Sequence, residues 1–473
     1  MRHPSRPYRS NCVSIALGVG LAVFFAPAWA AQQRSFVAST GLDTSPCNLA
    51  APCRSFNAAI LQTNAGGEVV ILDTAGYGPV TITKSIKIVA PAGVYGGVSV
   101  LGGTNPTTGI VINAAPTDDI TLAGLAISAL PGAPPLALFG IDVQSAGAVH
   151  IDRVTVSNFT QDPGACIHVA PTTVTRVYVN DSFLRGCRTG IFADGTAVPV
   201  AGDRPFVVVD NTRIERGRGA IVAYGAWLRG YAGLSLRNSV ISEQRIGVQF
   251  DGLLANGPSL LELINAEIMC GAAGSPNTGL NVSSTAANGL GLVSITGSQF
   301  SNCEDLIVAS NTGVGAISTL KLSDSRLSHA ENGLRILNSA ANARTDVDLV
   351  RSQISETGTS GIDANATNGG AIAVDLRDST VSTSFGPGVK TSGAGSSITA
   401  SLIRSSVHGT VTAVDHGQGR VYLEQSHITR NTNSLINNGS GDVKSAGNNF
   451  ITDNLDATPA TTYITSFTTV TLK

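Results

Sequence analysis

Seven residues with polar, aromatic or charged side chains recur at the spacing of a repeat in the first half of this sequence. They are His150, Asp152, Tyr178, Asn180, Asp210, Arg213 and Arg237. Carboxylate oxygens are the ligands that Ca²⁺ prefers, and arginine recognises a carboxylate through two parallel hydrogen bonds. If successive coils stack these side chains about 4.8 Å apart, they form a ligand-binding face for an acidic sugar, with Ca²⁺ at Asp152 and Asp210.

The element that would position these residues is a motif that returns about every 27 residues. It reads apolar-x-apolar-x-polar-small-x-apolar, and it occurs twelve times between Ile120 and Ile428. Residues 234–241 (LSLRNSVI) and 374–381 (VDLRDSTV) are clear copies. Self-similarity at this period predicts a solenoid, in which each repeat packs only against its neighbours.

The motif predicts short β-strands rather than helices. Its first two apolar residues lie two apart, as on one face of a strand, and the third follows a short polar turn. A second apolar site follows in most units, usually after glycine, as in Gly190-Ile191 and Gly361-Ile362. We therefore expect about three strands per coil, with right-handed parallel crossovers. Leucine-rich repeats need a different consensus, and propeller blades need longer, antiparallel units.

An Asn or Asp precedes the small residue in half of the units. These residues are Asp181, Asn211, Asn238, Asn265, Asp324 and Asp378. The row could be an active site, but Asn and Asp tolerate left-handed backbone and bind neighbouring main chain. We interpret it as a ladder at the turn. A second polar run, with Lys321, Asp348 and Asp375 beside Arg351 and Arg377, is interpreted as alternating charge on an exposed face.

Composition restricts the function classes. Only 13% of the residues are charged and the net charge is −2, so no basic field exists to attract nucleic acid. Residues 1–30 predict a secretory signal peptide: arginines precede an apolar run, and Ala28-Trp29-Ala30 supplies a cleavage site after Ala30. No later segment is apolar enough to span a membrane.

Six cysteines remain after the predicted cleavage, an even number in an exported chain. They allow fifteen pairings. Stacked coils favour three bridges, namely Cys47–Cys53, Cys166–Cys187 and Cys270–Cys303. Metal ligation is the alternative, but the sequence has no C-x-x-C motif or histidine cluster to support it.

The ends of the solenoid are expected to be capped. Residues 54–64 predict a helix, with Phe56, Ala59, Ile60 and Thr63 on one face and Ser55 as its cap. We therefore divide the chain into a signal peptide (1–30), an N-terminal cap module (31–68), a parallel β-helix (69–430) and a C-terminal coil and cap (431–473). The Thr-rich segment from Asn448 to Lys473 is expected to form that last cap.

From Val69 to Ile428 the pattern resembles the right-handed parallel β-helix of the pectin-lyase-like superfamily. Residues 36–41 and 46–60 are similar to the N-terminal module of many secreted bacterial β-helix proteins, most without an assigned function. The resemblance implies an all-β solenoid of about twelve or more coils with a short N-terminal capping helix. It implies no single activity, since the superfamily includes lyases, hydrolases, epimerases, tailspikes and adhesins. Pectate-lyase-like enzymes carry a calcium-binding acidic cluster and an arginine, which Asp152, Asp210 and Arg237 resemble in residue type.

Two functions from different classes follow. The first is a secreted, non-catalytic β-helix that presents a long surface to a glycan or the cell envelope. The second is a polysaccharide lyase or related uronate-processing enzyme with a site around Asp152, Asp210 and Arg237. The near-constant repeat favours the first, because only the steps around residues 199–204 and 271–278 leave room for loops that could wall a groove. We expect a monomer, and no cofactor other than Ca²⁺.

Overall fold

Strands of every coil lie on three faces that run along the molecule. The computed structural model describes residues 32–103, 107–131, 137–197, 204–218, 222–252, 258–271, 277–439, 441–455 and 468–469. The predicted signal peptide, most of the two longer loops and most of the Thr-rich C-terminal segment lie outside them. All pairings between the described strands are parallel, each strand pairing with its equivalent in the next coil, as in Ala148–Asp152 with Arg176–Asn180.

Face 1 is a sheet of 17 strands. They are Gln32–Val37, Thr63–Ile71, Ile86–Val89, Asp119–Ala123, Ala148–Asp152, Arg176–Asn180, Phe206–Asp210, Gly233–Arg237, Ser259–Ile264, Leu290–Thr296, Ile317–Ser323, Arg344–Val350, Ala371–Arg377, Ser397–Ile403, Arg420–Glu424, Asp442–Ser445 and Thr468–Thr469.

Face 2 follows face 1 along each coil. Its strands are Ala75–Gly76, Gly96–Leu101, Leu125–Leu130, Thr155–Ser157, Phe183–Arg185, Arg213–Glu215, Val240–Gln244, Glu267–Cys270, Thr380–Ser384, Ser406–His408, His427–Thr429 and Phe450–Thr452, with the first parts of Gln299–Asn311, Arg326–Asn338 and Gln353–Thr367.

Face 3 completes each coil. It contains the second parts of those three long strands, which join faces 2 and 3 into one sheet. Its other strands are Val80–Ile82, Thr108–Asn113, Phe139–Ser145, Ala165–Val169, Thr189–Gly195, Tyr224–Gly230, Ile246–Asp251, Thr278–Ser284, Pro387–Ala394, Thr412–His416 and Asn433–Asn437. The all-β, parallel β-helix architecture is thus confirmed, with about 15 turns. Strands of face 1 begin before Ile120 and continue past Ile428, so the coil exceeds the twelve sequence repeats.

Inward aliphatic side chains form the core. Within one coil, Val347, Leu349 and Ile354 are all buried, and Asp348, between the first two, points outward. Their counterparts in the next coil lie in register, as Val374 does with Val347. Each buried aliphatic side chain contributes about 1.5–3 kcal/mol of gross burial free energy. Stacked rows of such residues therefore hold each coil to the next.

A left-handed residue occupies the turn from face 1 to face 2 throughout the repeats. Positive φ angles occur at Gly124, Arg153, Asp181, Asn211, Asn238, Asn265, Gly297, Asp324, Arg351, Asp378, Arg404 and Gln425. Asn211 donates a 2.6 Å hydrogen bond to Asp181, and Arg351 donates two 2.7 Å hydrogen bonds to Asp324. The interpretation of this row as a turn ladder is confirmed.

The N-terminal module contains the helix Phe56–Gln62, which is shorter than the predicted 54–64. Ser55 caps it by accepting a hydrogen bond from the amide of Ala58, and Phe56, Ala59 and Ile60 are buried. Thr63 already belongs to the next strand of face 1. No helix among the described residues is long and apolar enough to cross a membrane.

All three predicted disulfides are present: Cys47–Cys53, Cys166–Cys187 and Cys270–Cys303. The last two join neighbouring coils, with Cα–Cα distances of 5.6 and 5.0 Å. The sequence separations of 21 and 33 residues are near one coil. Stacking therefore brings each pair together, as the solenoid geometry required.

Candidate functional site

The predicted patch lies mainly on face 1. His150 pairs in register with Tyr178, and Asp152, Asn180, Asp210 and Arg237 occupy one outward row on four successive coils. The rings of His150 and Tyr178 stack with their centroids 4.9 Å apart. The motif therefore predicted both the face and the order of six of the seven residues.

Hydrogen bonds within the protein already involve the polar groups of this patch. Asn180 donates to Asp152 at 2.9 Å, and Asn238 donates to Asp210 at 2.9 Å. Arg237 donates to the hydroxyl of Ser235 at 2.9 Å. Since Asn180 stands between Asp152 and Asp210 in the row, the two carboxylates belong to coils that are not adjacent.

Arg213 does not join the patch. The left-handed turn at Asn211 sends the chain onto face 2, where Arg213 is exposed and its guanidinium lies 2.8 Å from the carboxylate of Glu215. Among the residues that the structure describes, no group of three or more His, Cys, Asp or Glu side chains could hold a metal ion. The patch is thus a row of paired polar groups with one aromatic stack.

Face 3 carries a different cluster, which we call the aromatic surface. It consists of Phe139, Asp142, His168, Phe192, Asp194, Tyr224, Trp227, Arg229, Gln249 and Asp251. The outward residues Asp142, His168, Phe192, Trp227 and Gln249 stand in register on five successive coils. At about 4.8 Å per coil this row extends for about 20 Å along the axis.

Rings of the aromatic surface contact one another from coil to coil. Phe139 and His168 stack with centroids 4.2 Å apart, Phe192 and Trp227 stack at 4.6 Å, and Tyr224 lies 4.9 Å from Trp227. Phe192 is only 4% exposed, although its position points away from the core. The other rings are half-buried, so the cluster is a second apolar layer outside the coil with part of its rings open to solvent.

Carboxylates border these rings, each fixed by donors of the protein. The carboxylate of Asp142 lies 2.7 Å from Nδ1 of His168 and accepts a 2.8 Å hydrogen bond from Gln144. The indole Nε1 of Trp227 donates to Asp251 at 2.7 Å, and Ser283 donates to the same carboxylate at 2.6 Å. These bonds orient polar groups and rings together, as a preformed binding site requires.

Three of the nine buried side-chain polar atoms that lack a hydrogen bond among the described residues lie in the coils of Phe192 and Trp227. Within the described residues, Nη1 of Arg188, Oγ1 of Thr189 and Nε of Arg229 are buried and make no hydrogen bond. Arg188 lies over the ring of Tyr224, and its Nη2 is 3.2 Å from Asp162. Burial raises the pKa of the Tyr224 phenol. Unpaired buried donors are rare because each costs about 1–3 kcal/mol.

The outward row continues into charged residues in the C-terminal half of face 3. Arg335, Asp363, Lys390 and Asp415 stand in register, and Arg335 donates a 2.8 Å hydrogen bond to Asp305. Burial raises the pKa of the Asp363 carboxyl, opposed by the neighbouring Lys390 and Arg335. This row has no aromatic residue and is distinct from the aromatic surface.

The sequence contained a signal for the aromatic surface. The second apolar site follows glycine, and the residue after that site points outward on face 3, as in Gly190-Ile191-Phe192 and Gly225-Ala226-Trp227. Reading that third position through the repeats gives the central row of the surface. Examining only the outward positions of face 1 missed it.

Comparison with known proteins does not identify a relative by sequence. No family model matches the chain, and no curated protein matches it. Among solved structures, pectate lyase Pel9A is 12% identical, over 91% of this chain and 82% of that chain, with a TM-score of 0.29. The periplasmic alginate epimerase AlgG is 9% identical, over 80% and 77%, with a TM-score of 0.40.

A third solved structure is the catalytic unit of a GH87 α-1,3-glucanase from Streptomyces thermodiastaticus, 15% identical over 81% of this chain and 64% of that chain, with a TM-score of 0.34. Values this low support no argument about activity. The parallel pairing of the chain's own strands decides the architecture. The fold is an all-β, parallel β-helix. The β-helix thus has two candidate binding surfaces, the patch on face 1 and the aromatic surface on face 3.

Proposed function

We propose that this protein is a secreted, non-catalytic β-helix that binds a glycan through the aromatic surface of face 3. The observation that carries the proposal is the continuous outward row on five successive coils, in which the rings of His168, Phe192 and Trp227 lie between Asp142 and Gln249. The half-buried rings of Tyr224 and Trp227 offer apolar surface, and each carries one polar group, a hydroxyl or an indole N–H. Such rings suit ligands that are apolar on one side and polar on the other. A row of about 20 Å suits an oligosaccharide rather than a single sugar.

The aromatic surface supports binding better than the face 1 patch does. In the patch, Asp152 and Asp210 accept hydrogen bonds from asparagines of the next coil, as ladder residues do. At the aromatic surface, buried donors of Arg188 and Arg229 make no hydrogen bond within the described residues. The side chain of Arg229 is 38% exposed, so its guanidinium can donate to a bound hydroxyl group, whereas the carboxylates of the patch already accept hydrogen bonds from the protein.

The alternative function is uronate processing at Asp152, Asp210 and Arg237. It predicts that new absorbance from an unsaturated product appears when the protein is incubated with a polyuronate, with or without Ca²⁺, and that Asp210→Ala abolishes it. We favour the non-catalytic function, because the two carboxylates belong to separate coils and Arg237 lies 3.8 Å from Glu262 on its other side. Product formation lost in that variant would reverse this preference.

Export is part of the proposal. Three disulfides need an oxidising compartment, in agreement with the predicted signal peptide at residues 1–30. The glycan would then be met outside the cytoplasm, in the periplasm, on the cell envelope or in the medium. N-terminal sequencing of the exported protein should begin at Ala31.

A glycan array probed with the mature chain tests the proposal. Trp227→Ala should remove binding, because it removes the largest ring of the surface and the donor to Asp251. Tyr178→Ala is the matched control, since it removes an aromatic side chain of similar environment from the face 1 patch. Loss of binding with Tyr178→Ala but not with Trp227→Ala would move the site to face 1. Unchanged binding in both variants would refute a role for either row.

A further inference from the structure

The charges around the aromatic surface select among glycans. Asp142, Asp194 and Asp251 lie within the surface, and Arg229 is its one guanidinium, so these residues carry a formal charge of −2 with His168 neutral. The neighbouring pair of Arg188 and Asp162 adds no net charge. The surface is therefore more acidic than expected from its share of a chain whose total net charge is also −2.

Neither Arg229 nor Arg188 is available to neutralise an acidic ligand. Arg245, a third cation that acts on Tyr224, is not a residue of the surface. Nε of Arg229 is 3.8 Å from the carboxylate of Asp194, on the same outward row one coil away. Arg188 is 7% exposed, pairs with Asp162 and lies over the ring of Tyr224. Arg229 and Arg188 thus each already face a carboxylate of the protein.

We infer that the glycan bound by the aromatic surface is an uncharged pyranose chain rather than a polyuronate. This inference rests on the proposed function. A polyuronate brings one negative charge per sugar, and like charges a few ångströms apart repel more strongly at a protein surface than in water. Because Asp142, Asp194 and Asp251 lie on three of the five coils of the surface, such repulsions oppose a bound polyuronate.

Sugar hydroxyls fit the same groups without that penalty. A hydroxyl donates to a carboxylate oxygen and also accepts from a guanidinium N–H. It therefore complements both the carboxylate of Asp194 and the exposed part of the Arg229 guanidinium. A cationic amino sugar would satisfy the carboxylates but would leave the arginine donors unpaired.

Calorimetric titration of the mature protein with matched hexasaccharides tests this inference. The probes are neutral hexamers of glucose, xylose, mannose and galactose, hexagalacturonate, and chitosan hexaose. We expect a neutral hexamer to bind with an affinity that changes less than about twofold between about 20 and 500 mM NaCl. Hexagalacturonate should bind at least about tenfold more weakly at low salt and gain affinity as salt screens the repulsion.

Two variants separate charge from shape. Asp194→Asn should raise the affinity for hexagalacturonate severalfold relative to the affinity for the neutral hexamer, because it removes one repulsion and keeps the side-chain size and one hydrogen-bonding oxygen. Asp348→Asn, on face 1, is the control and should change neither affinity. The salt series gives an independent readout should Asp194→Asn fold poorly.

The possible results separate the choice of a neutral glycan from glycan binding itself. Tighter binding of hexagalacturonate or of chitosan hexaose than of every neutral hexamer would overturn the inference and leave glycan binding at face 3 in place, provided that Trp227→Ala abolishes it. Failure of all the hexasaccharides to bind would overturn the proposed function itself, and the inference with it.

Discussion

Single residues determine how one coil registers on the next. The small residue of each repeat is buried, and where it is Ser or Thr its hydroxyl accepts a hydrogen bond from the backbone amide of its equivalent one coil earlier. Ser325 accepts from Ser298 at 3.2 Å and donates to the carbonyl of Ser323 at 2.8 Å, and Ser352 repeats the arrangement. The left-handed turn interrupts the backbone hydrogen bonds between coils, and the serine hydroxyl accepts a hydrogen bond from the backbone amide that would otherwise lack an acceptor.

Ser325→Ala should lower the free energy of unfolding by about 1–3 kcal/mol, because it leaves the buried amide of Ser298 without an acceptor. Ser323→Ala is the matched control on the outward side of the preceding strand, Ile317–Ser323, where changes are within about 0.5 kcal/mol. Urea unfolding followed by circular dichroism measures both. Equal destabilisation by the two substitutions would contradict a structural role for the buried hydroxyl.

A buried histidine should make stability depend on pH. His416 is fully buried on face 3, with Nδ1 2.8 Å from the hydroxyl of Thr391, and burial lowers the pKa of its imidazole below the ordinary 6.5. The unfolded chain therefore binds this proton more readily than the folded protein does. Stability is complete above pH 6.5 and should fall as the pH decreases from 6.5 toward the lower pKa of the folded state.

Thermal unfolding measured from pH 7.5 to 4.5 tests this dependence. The range extends from about one pH unit above the ordinary histidine pKa to well below it. His416→Gln should reduce the slope of the curve, with the remainder due to His408, whose pKa burial also lowers, whereas His427→Gln, at an exposed position, should leave the slope unchanged. Paired carboxylates such as Asp324 have lowered pKa values and lose their contribution only at more acidic pH, near and below the ordinary 3.8. A wild-type curve that stays flat between pH 6.5 and 4.5 would rule out the histidine effect.

At the scale of elements, sequence predicted some features and missed others for identifiable reasons. The turn from face 1 to face 2 recurs with a recognisable Asn or Asp and a small residue, so its position was readable. The turn from face 2 to face 3 also has left-handed residues, but Asn158, Arg216, Glu243, His329 and Thr383 share no chemistry. The neighbouring coils impose the backbone geometry of this turn, so no particular residue type marks it in the sequence. The sequence therefore did not show which residues of the following strand point outward on the aromatic surface.

The disulfide loop of the N-terminal module protects an exposed strand edge. Gln32–Val37 is the first strand of face 1 and pairs on one side with Thr63–Ile71. On its other side, Phe36 donates to the carbonyl of Cys47 at 2.8 Å and accepts from the amide of Cys53 at 2.9 Å. Unprotected edges promote association between chains, so this loop occupies the place where another strand would add.

Replacing both Cys47 and Cys53 with Ser should loosen that loop and expose the edge. A bridge closing so short a loop contributes about 2 kcal/mol, and we expect concentration-dependent association in sedimentation velocity. The matched control replaces Cys270 and Cys303 with Ser, because that bridge joins coils in the interior of the β-helix. Association of the control to the same extent would show that lost stability, rather than the exposed edge, is responsible.

At the scale of the whole molecule, the solenoid makes stability local. Each coil contacts its neighbours above and below, so the free energy of folding is approximately a sum over coils and their interfaces. Two bridges between coils, Cys166–Cys187 and Cys270–Cys303, lie on either side of the strand Tyr224–Gly230 that carries Trp227. They brace the coils on which the aromatic surface is built, whereas the described coils from Ile317 to Ile403 have no disulfide.

Reduction should therefore loosen the molecule region by region. Amide hydrogen exchange of the reduced mature protein is expected to accelerate in the coils that contain Cys166, Cys187, Cys270 and Cys303, and in the strands of face 3 between them, while the strands Arg344–Val350 and Ala371–Arg377 keep their protection. Glycan binding should weaken in parallel, because the rings of Phe192 and Trp227 would lose their fixed spacing. Uniform acceleration along the whole chain would instead mean that all coils unfold as one cooperative unit, contrary to nearest-neighbour stacking.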